Sequence, residues 1–407
     1  MTNPPASDAT PTSQLPKPAP DGMAARVFLA FLATAGMYYV NIMPAVISGL
    51  IEGLGFSNRE AGFVGSANVY GAAAGALLAV FVVARIRWRP TAAGLLTGLM
   101  LADAASMLIE TPSWMIGVRF IDGLLGGMLV GVAFAVIART READRTFGVL
   151  LAVQFGLGGL GVMLLPPLVP QFGTQALFAA LFAFSAVTLA MLPFASAYPA
   201  PAPAAPGTRR APVAVRPLAL TLLAVFLFQA ANMALFAYII GLGRHYGLDD
   251  TFINPTLGAA GWVGIVGALL VVTLGLRFGR TIPLLVAMTL TIAGTWALLF
   301  SDSRAIFFIA NCGTGITWAF VVPYLFGMCA EYDRAGRWAA VGGFASKLGL
   351  ASGPLGGALL LGDGDYQQLV LAAMALLTLS MAAALSPTIA LDRAERAARV
   401  RATPLLR

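Results

Sequence analysis

The stretch GFSNREAGFVGSANVYGAAAGALL (55–78) returns 192 residues later, without a gap, as GLDDTFINPTLGAAGWVGIVGALL (247–270). Both copies end in Gly-Ala-Leu-Leu. The motif EADR (142–145) falls on EYDR (331–334) at an offset of 189, and the basic turn RIRWRP falls on LRFGRT near offset 190. Three matches at nearly one offset, in the same order, predict that the chain consists of two related halves.

The composition is that of a polytopic membrane protein. Of the 407 residues, 59% are hydrophobic and 11% are charged, and the mean hydropathy is +0.84, whereas soluble globular domains contain about 25% charged residues. Apolar runs of about 20 residues can each cross a hydrocarbon core of about 30 Å. We predict twelve such helices, near residues 25–49, 62–84, 91–110, 114–138, 147–168, 174–194, 217–240, 255–275, 281–300, 305–328, 338–361 and 367–388.

The repeat and the apolar runs together predict the fold class, an all-α membrane protein with twelve transmembrane helices in two six-helix pseudo-symmetric halves. The predicted segments are a disordered cytoplasmic tail (1–24), an N-terminal six-helix bundle (25–196), a stiff Pro/Ala linker on the cytoplasmic side (197–217), a C-terminal six-helix bundle (218–390) and a basic cytoplasmic tail (391–407). The first tail is polar and rich in Pro, unlike a signal peptide.

The distribution of Lys and Arg predicts the orientation. With the N terminus inside, the inside segments contain twenty of these residues, and the outside loops contain only Arg59, Arg244 and Arg304. This asymmetry predicts a multi-pass protein of the inner (cytoplasmic) membrane with both termini in the cytoplasm. It also explains the net charge of +7 without a nucleic-acid partner, and it places the basic C-terminal tail beside anionic lipid headgroups of the bilayer.

Catalytic and metal-binding classes find no support in the sequence. Cys312 and Cys329 lie in one predicted helix, about 25 Å apart at about 1.5 Å per residue, which is beyond disulfide reach. The chain has a single histidine, His245, and neither a cluster with metal-ligand spacing nor a nucleophile–base set. We therefore predict no enzyme activity, no metal and no cofactor.

The two six-helix halves, the inside central linker and the short basic turns after helices 2 and 8 carry a family resemblance, to which three motifs add. The segment RFIDGLLGG (119–127) resembles the fourth-helix motif of the major facilitator superfamily, an Arg followed by glycines. The segment LGLRFGR (274–280) resembles the family's Gly-x-x-x-Asp-Arg-x-Gly-Arg turn, with Leu276 in place of the Asp, and GLASGPLGG (349–357) resembles its Gly-Pro motif. The resemblance implies alternating access of two halves around one central site, with helices 1, 4, 7 and 10 lining the cavity.

Charges at the inside turns are predicted to have a gating role, which the resemblance implies for the basic turns only. The arginines of the two basic turns and the charged ends of the EADR and EYDR motifs form the predicted inside gate. Its members are Arg87, Arg89, Arg277, Arg280, Glu142, Arg145, Glu331 and Arg334. The alternative for the EADR and EYDR charges is that they are solvated loop charges.

Arg119, Asp122 and Asp103 are charged residues inside predicted helices. A charge at the centre of a membrane helix costs at least about 2.5–3.5 kcal/mol, so these side chains should face protein or water. Asp122 lies three residues after Arg119 on nearly the same face, and Asp103 lies at a similar depth on the preceding helix. Two interpretations stay open, a structural ion pair between the third and fourth helices, or proton coupling with Asp122 as first candidate and Asp103 as second.

Lys347 is the other cation within a predicted helix. No acid of the second half lies at its depth, and an unpaired buried ammonium would be costly. It is therefore either paired across the two halves, kept neutral, or an anchor for an anionic group of the solute.

A set of amide and aromatic side chains lies at comparable depths, and it predicts a small-molecule site. For each member, the alternative role is an interhelical hydrogen bond. With the two cations Arg119 and Lys347, the predicted solute-binding residues are Asn41, Tyr70, Gln229, Asn232, Trp262, Asn311 and Trp318, and the same set includes Asn68 and Gln154.

The function predicted from the sequence is secondary active transport. The chain is expected to be a monomer that moves a small organic, anionic solute of the carboxylate type across the inner membrane by alternating access, in symport with protons. The alternative is an efflux transporter for drugs or metabolites that works by proton antiport, which would have a larger and mostly apolar cavity.

Overall fold

The computed structural model describes residues 18–83, 85–196, 198, 214–332, 339–362 and 364–402. Throughout these residues the regular secondary structure is helical, without a β-strand. Ten helices are long and apolar enough to cross a membrane, and two further apolar helices are shorter. The predicted fold class is therefore confirmed.

Among the described residues, twelve helical elements each overlap one of the twelve predicted spans. The first, α1, consists of three consecutive segments, Met23–Ala35, Tyr38–Asn41 and Met43–Leu54. The others are α2 (Asn58–Val82), α3 (Trp88–Ser106), α4 (Pro112–Ile137), α5 (Ala143–Leu164), α6 (Gln175–Met191), α7 (Val215–His245), α8 (Asp250–Leu274), α9 (Thr281–Ala297), α10 (Arg304–Tyr332), α11 (Ala339–Leu361) and α12 (Tyr366–Ala402). Ten of them are the long apolar helices, α1 contains the two shorter ones, and α3 completes the set by its position in the chain.

The interruption of α1 differs from the continuous helix predicted at 25–49. Pro44 lies in the first turn of the third segment, and because it has no backbone N–H it cannot continue the helical hydrogen bonds of the preceding turn. At Gly36, a Cβ would lie 2.3 Å from the carbonyl oxygen of Gly126. The chain of α1 thus breaks where it comes closest to the backbone of α4.

Several boundaries also differ from the predicted ones. Helix α12 continues to Ala402, well beyond the predicted end at 388, since its last turns are rich in Ala, Arg and Glu, which favour helix. Helix α7 begins at Val215, inside the predicted linker. The linker residues 197 and 199–213, the tail residues 1–17 and the predicted gate residue Arg334 lie outside the described residues.

Glycines allow the closest helix pairs within each half. A Cβ on Gly123 of α4 would lie 1.8 Å from the carbonyl oxygen of Asn68 on α2, and a Cβ on Gly349 of α11 would lie 2.4 Å from that of Phe226 on α7. Small residues at membrane helix interfaces allow such close approach, and the pair α8–α10, which corresponds to α2–α4 in the second half, shows it too, since a Cβ on Gly267 would lie 2.0 Å from the carbonyl oxygen of Ile316. Between the halves, α2 packs on α11 and α5 packs on α8.

The two ends of the helical bundle are named here by the chain termini. The terminal face contains the start of α1 and the end of α12, and the opposite face contains the other ends of these helices. On the terminal face, Ser196 Oγ donates to the carbonyl oxygen of Pro18 at 2.7 Å, and Tyr198 Oη donates to that of Pro20 at 3.2 Å. These bonds tie the segment before α1 to the chain that follows α6.

Candidate functional site

A central cavity of about 340 Å³ lies where the two halves meet. Its walls come mainly from α1 and α5 of the first half and from α7, α8 and α10 of the second. Its volume falls at the lower end of the range of about 300–1,000 Å³ that is typical of small-molecule sites. Among the described residues, every side chain that lines it is uncharged.

Amide side chains and one indole supply the polar part of the wall. Gln154 Nε2 donates to Asn41 Oδ1 at 3.1 Å, which joins α5 to α1. Trp318 Nε1 donates to Gln229 Oε1 at 2.6 Å, which joins α10 to α7, and Gln229 Nε2 donates to Ser346 Oγ of α11 at 2.7 Å. These bonds hold the side chains in fixed orientations around the cavity.

Three polar atoms of the wall have no hydrogen-bond partner within the described part of the chain. They are Asn41 Nδ2, Asn232 Oδ1 and Thr314 Oγ1, and all three residues line the cavity. Asn232 has its own Nδ2 bonded to the carbonyl oxygen of Phe228 at 2.8 Å, so that its free oxygen is an acceptor. Asn41 Nδ2 and Asn232 Oδ1 are thus a buried donor and a buried acceptor of the wall without a protein partner, whereas Thr314 Oγ1 is directed toward α9, 3.1 Å from the position of a Cβ on Gly294.

Aromatic and aliphatic side chains form the rest of the wall. Phe236 packs edge-on against Trp318 with ring centroids 5.9 Å apart and an interplanar angle of 85°. Phe155, Val162 and Leu257 extend the apolar surface. A cavity of this composition accommodates a molecule with both a hydrogen-bonding edge and an apolar face.

The cavity is closed toward the opposite face by ionic contacts between the halves. Arg244 at the end of α7 forms an ion pair with Glu52 of α1, and its Nη1 donates to Ser48 Oγ at 3.1 Å. The same guanidinium binds both carboxylate oxygens of Asp250 at 2.6 Å, within its own half. This cluster, called the Arg244 latch below, joins the two halves at a position where both are partly exposed to solvent.

Neutral contacts also join the two halves. Tyr238 Oη donates to the carbonyl oxygen of Asn58 at 3.0 Å, so that α7 is bonded to the start of α2. The hydroxyls of Tyr70 on α2 and Ser352 on α11 are 2.9 Å apart. The predicted solute-binding residue Tyr70, near the midpoint of α2, therefore joins the two halves at mid-depth and lies outside the cavity lining.

The predicted gate residues lie on the terminal face, where the described ion pairs join residues of one half. Glu142 pairs with Arg26 and, at 3.0 Å, with Arg145. Arg280 pairs with Glu331 at 3.3 Å and with Glu395 at 3.1 Å. Arg89 donates to the carbonyl oxygen of Ala195 at 2.5 Å, whereas Arg87 and Arg277 are exposed.

Arg119 is sealed inside the first half, away from the central cavity. It is 0% exposed, and its Nη1 lies 3.0 Å from Asp103 Oδ1 and 3.4 Å from Asp122 Oδ2. Asn68 Nδ2 donates to Asp122 Oδ2 at 2.7 Å. Two carboxylates thus share one guanidinium, and neither Arg119 nor the aspartates line the central cavity. This group of three charged residues is called the acidic cluster below.

Two more predicted binding residues are placed beside the cavity. Lys347 is half-buried on α11, one turn from the lining residue Leu350, and it has no ion pair among the described residues. Trp262 is 41% exposed, and its indole N–H donates to the carbonyl oxygen of Gly156 at 3.1 Å, which bonds α8 to α5. The structure therefore brings together Asn41, Gln229, Asn232, Asn311 and Trp318, and separates them from Arg119, Lys347, Tyr70 and Trp262.

Sequence reasoning did not select Thr314, Ser346 or Glu52. A Thr or Ser in a membrane helix commonly bonds to the backbone of its own helix, so it gives little signal in a sequence. Glu52 follows the first apolar run, and a carboxylate at such a position is usually solvated. Only the packing of α1 against α7 shows that this residue reaches Arg244.

Comparisons with known proteins agree with this architecture. The sequence model of the Major Facilitator Superfamily matches residues 27–354. A crystal structure of a variant of the nucleoside transporter NupG superposes with a TM-score of 0.69 at 14% identity, covering 89% of this chain and 98% of that one.

A bacterial homologue of the human lysosomal transporter Spinster, inward-facing and unoccupied, superposes with a TM-score of 0.61 at 12% identity, covering 91% and 95% of the two chains. The comparison with curated proteins finds no match. At these identities the structural likeness shows the fold, while the sequence model spans most of the chain. The chain therefore belongs to the major facilitator superfamily.

Proposed function

We propose that this protein is a secondary transporter that carries a small, uncharged, hydrogen-bonding organic solute across the cytoplasmic membrane by alternating access. The observation that carries the proposal is the central cavity, which is lined by amide side chains and an apolar wall, with no charged side chain among the described residues. With both termini in the cytoplasm, closure at the opposite face corresponds to an inward-facing state.

The proposed solute is uncharged, in contrast to the anionic solute expected from the sequence. That expectation depended on Arg119 and Lys347 as anchors for a negative group. Arg119 is already balanced by two aspartates, and Lys347 is outside the cavity lining. An anion in the cavity would lose hydration without gaining a cationic partner there, which is unfavourable.

Coupling to protons is the second part of the proposal, and it concerns the acidic cluster. With both carboxylates ionised, the cluster has a net charge of −1 in a buried position. Proton binding to Asp122, or to Asp103 as second candidate, removes this charge. Transport in symport with protons follows if solute binding and proton binding stabilise the same conformation.

Export is the second candidate for the direction of transport. The apolar residues of the cavity wall, such as Phe155 and Phe236, would also accept an amphipathic metabolite. Symport and antiport give opposite dependences on the proton gradient. In proteoliposomes with an acidic exterior, symport drives solute inward, whereas antiport drives it outward.

The experiment is uptake into proteoliposomes of radiolabelled solutes from three classes, with and without a protonophore. Uridine and glucose represent uncharged solutes, lactate and succinate represent carboxylates, and tetraphenylphosphonium represents cationic drugs. We include uridine because the structurally similar NupG is a nucleoside transporter. Saturable uptake of an uncharged compound supports the proposal, and uptake confined to carboxylates or to the cation refutes it. The matched control is Asn232→Leu, which removes the free acceptor of the wall.

A further inference from the structure

The middle segment of α1, Tyr38–Asn41, lies between the acidic cluster and the central cavity. Tyr39 lines a small cavity together with Asp103 and Asp122, whereas Val40 and Asn41 line the central cavity. The segment is separated from the rest of α1 by Gly36 and Met37 on one side and by Ile42 on the other. A rotation of this short segment would therefore move Tyr39 and Asn41 together.

The hydroxyl of Tyr39 is buried without a hydrogen-bond partner among the described residues. The residue is 5% exposed, and its ring centroid lies 5.7 Å from Cζ of Arg119. A buried hydroxyl is less stable without a hydrogen-bond partner than with one. The aromatic ring alone is enough for the contact with the guanidinium, so this contact does not explain why a hydroxyl is buried there without a partner.

Asp122 has a matching unpartnered atom on the same small cavity. Its Oδ2 accepts from Asn68 Nδ2 at 2.7 Å and lies 3.4 Å from Arg119 Nη1, while Oδ1 has no hydrogen-bond partner in the described part of the molecule. The small cavity has a volume of about 10 Å³, close to the room needed by a single water molecule. The two residues that carry an unpartnered donor and an unpartnered acceptor thus line the same small cavity.

The ionisable groups around this space come from three helices. Asp103 belongs to α3, Arg119 and Asp122 to α4, and Tyr39 to α1, while α2 and α6 contribute the neutral residues Asn68 and Ser185. A phenol bonds an ionised carboxylate about twice as strongly as a neutral group, because the bond is charge-assisted. The position favoured by Tyr39 therefore depends on whether the cluster holds a proton.

We propose that Tyr39 is the positioning residue that couples the protonation of the acidic cluster to the solute cavity. When the cluster loses its proton, the hydroxyl of Tyr39 donates to Asp122 and pulls the middle segment of α1 toward α4, which displaces Asn41 from the cavity wall. When a proton binds Asp122, this bond weakens and Asn41 returns to its bond with Gln154. The inference rests on the proton-coupled part of the proposed function.

The test needs no solute, because it follows the closure of the opposite face as the pH changes. Spin labels are attached at Glu110→Cys in the first half and Asp302→Cys in the second, in a background with Cys312→Ala and Cys329→Ala. Both labelled sites are exposed on the opposite face. Inter-label distances are measured in lipid nanodiscs at acidic, neutral and basic pH.

The decisive variant is Tyr39→Phe, which keeps the ring and removes the hydroxyl. Its matched control is Tyr38→Phe, because the hydroxyl of Tyr38 faces the carbonyl oxygen of Leu157 on α5, at 3.4 Å, and not the small cavity. We expect the ratio of open to closed populations to change about tenfold across the pH range in the wild type and in Tyr38→Phe, as a coupling of about 1.4 kcal/mol produces. In Tyr39→Phe we expect a change of less than about twofold.

The outcomes separate this inference from the proposed function. If Tyr39→Phe responds to pH as the wild type does, the role of Tyr39 is refuted while proton coupling stands. If the wild type and Asp122→Asn are both insensitive to pH, proton coupling is refuted and the inference is overturned with it. A Tyr38→Phe variant that loses the response as completely as Tyr39→Phe also overturns the inference, since the effect would then belong to the α1 interruption in general.

Discussion

Weakening the Arg244 latch is expected to open the opposite face of the transporter. The variant Glu52→Gln removes the charge that pairs with Arg244 across the two halves, while Arg244 keeps its bonds to Asp250 in its own half. The side chains of Arg244 and Glu52 are 30% and 33% exposed. For such a partly exposed pair, the ionic contribution is about 0.5–1 kcal/mol, and a weaker hydrogen bond adds at most about 0.5 kcal/mol.

A loss of about 0.5–1.5 kcal/mol lowers the ratio of closed to open molecules by about two- to tenfold. The spin-label pair at Glu110→Cys and Asp302→Cys measures this ratio directly as the fraction of long inter-label distances. The matched control is Asp250→Asn, because the pair between Arg244 and Asp250 lies within one half and is kept in both conformations.

A closing role of the Arg244 latch is refuted if Glu52→Gln leaves the distance distribution unchanged, or if Asp250→Asn changes it as much. High salt gives an independent check, because screening weakens an exposed pair. We therefore expect salt to increase the open fraction of the wild type and to have little effect on Glu52→Gln.

Three further predictions concern the interior. Arg119→Leu leaves two buried carboxylates without their cation and should destabilise the protein by about 3–5 kcal/mol. The loss is measured as a lower melting temperature in detergent. Adding Asp103→Asn to this variant restores the net charge of the acidic cluster and should recover part of the lost stability. Trp318→Phe leaves the acceptor Gln229 Oε1 unpaired. In equilibrium binding, the affinity for a transported solute should fall about 5- to 30-fold, a loss of about 1–2 kcal/mol. The control Trp262→Phe, which is outside the cavity, should not lower the affinity. Gly123→Ala would place a Cβ 1.8 Å from the carbonyl oxygen of Asn68 and should prevent folding, which size-exclusion chromatography would show as loss of the folded peak. The control Gly117→Ala has no atom within 4 Å of the new Cβ and should keep that peak.

The number and type of the helices could be predicted because the membrane leaves few alternatives. Within lipid, the backbone must satisfy its hydrogen bonds internally, so each long apolar run becomes a helix. The repeat of 55–78 at 247–270 further indicated two related halves. The interruption of α1 was not predicted, because the close approach of Gly36 to Gly126 is a contact between helices that a single sequence does not reveal.

The cavity residues were easier to select than the roles of the charges. Asn41, Gln229 and Asn311 stand out because an amide within an apolar helix must find a polar partner or a cavity. The direction in which Arg119 and Lys347 point depends on how α4 and α11 are rotated about their axes. Both helices are apolar on all sides, so no hydrophobic stripe marks the face that turns toward the central cavity.

The separation of charge from solute suggests how such a protein can couple the two without contact between them. An acidic cluster inside the solute cavity would bind cationic solutes and repel anionic ones, so coupling and selectivity would depend on the same side chains. Here the cluster lies inside the first half, and the cavity wall is uncharged among the described residues. The only part of α1 that borders both is the segment Tyr38–Asn41. If protons drive transport, the free energy of proton binding reaches the solute through the position of this segment. It follows that substitutions of the cavity wall should change which solute is carried while leaving the proton response of the empty protein intact, and that Tyr39→Phe should do the reverse.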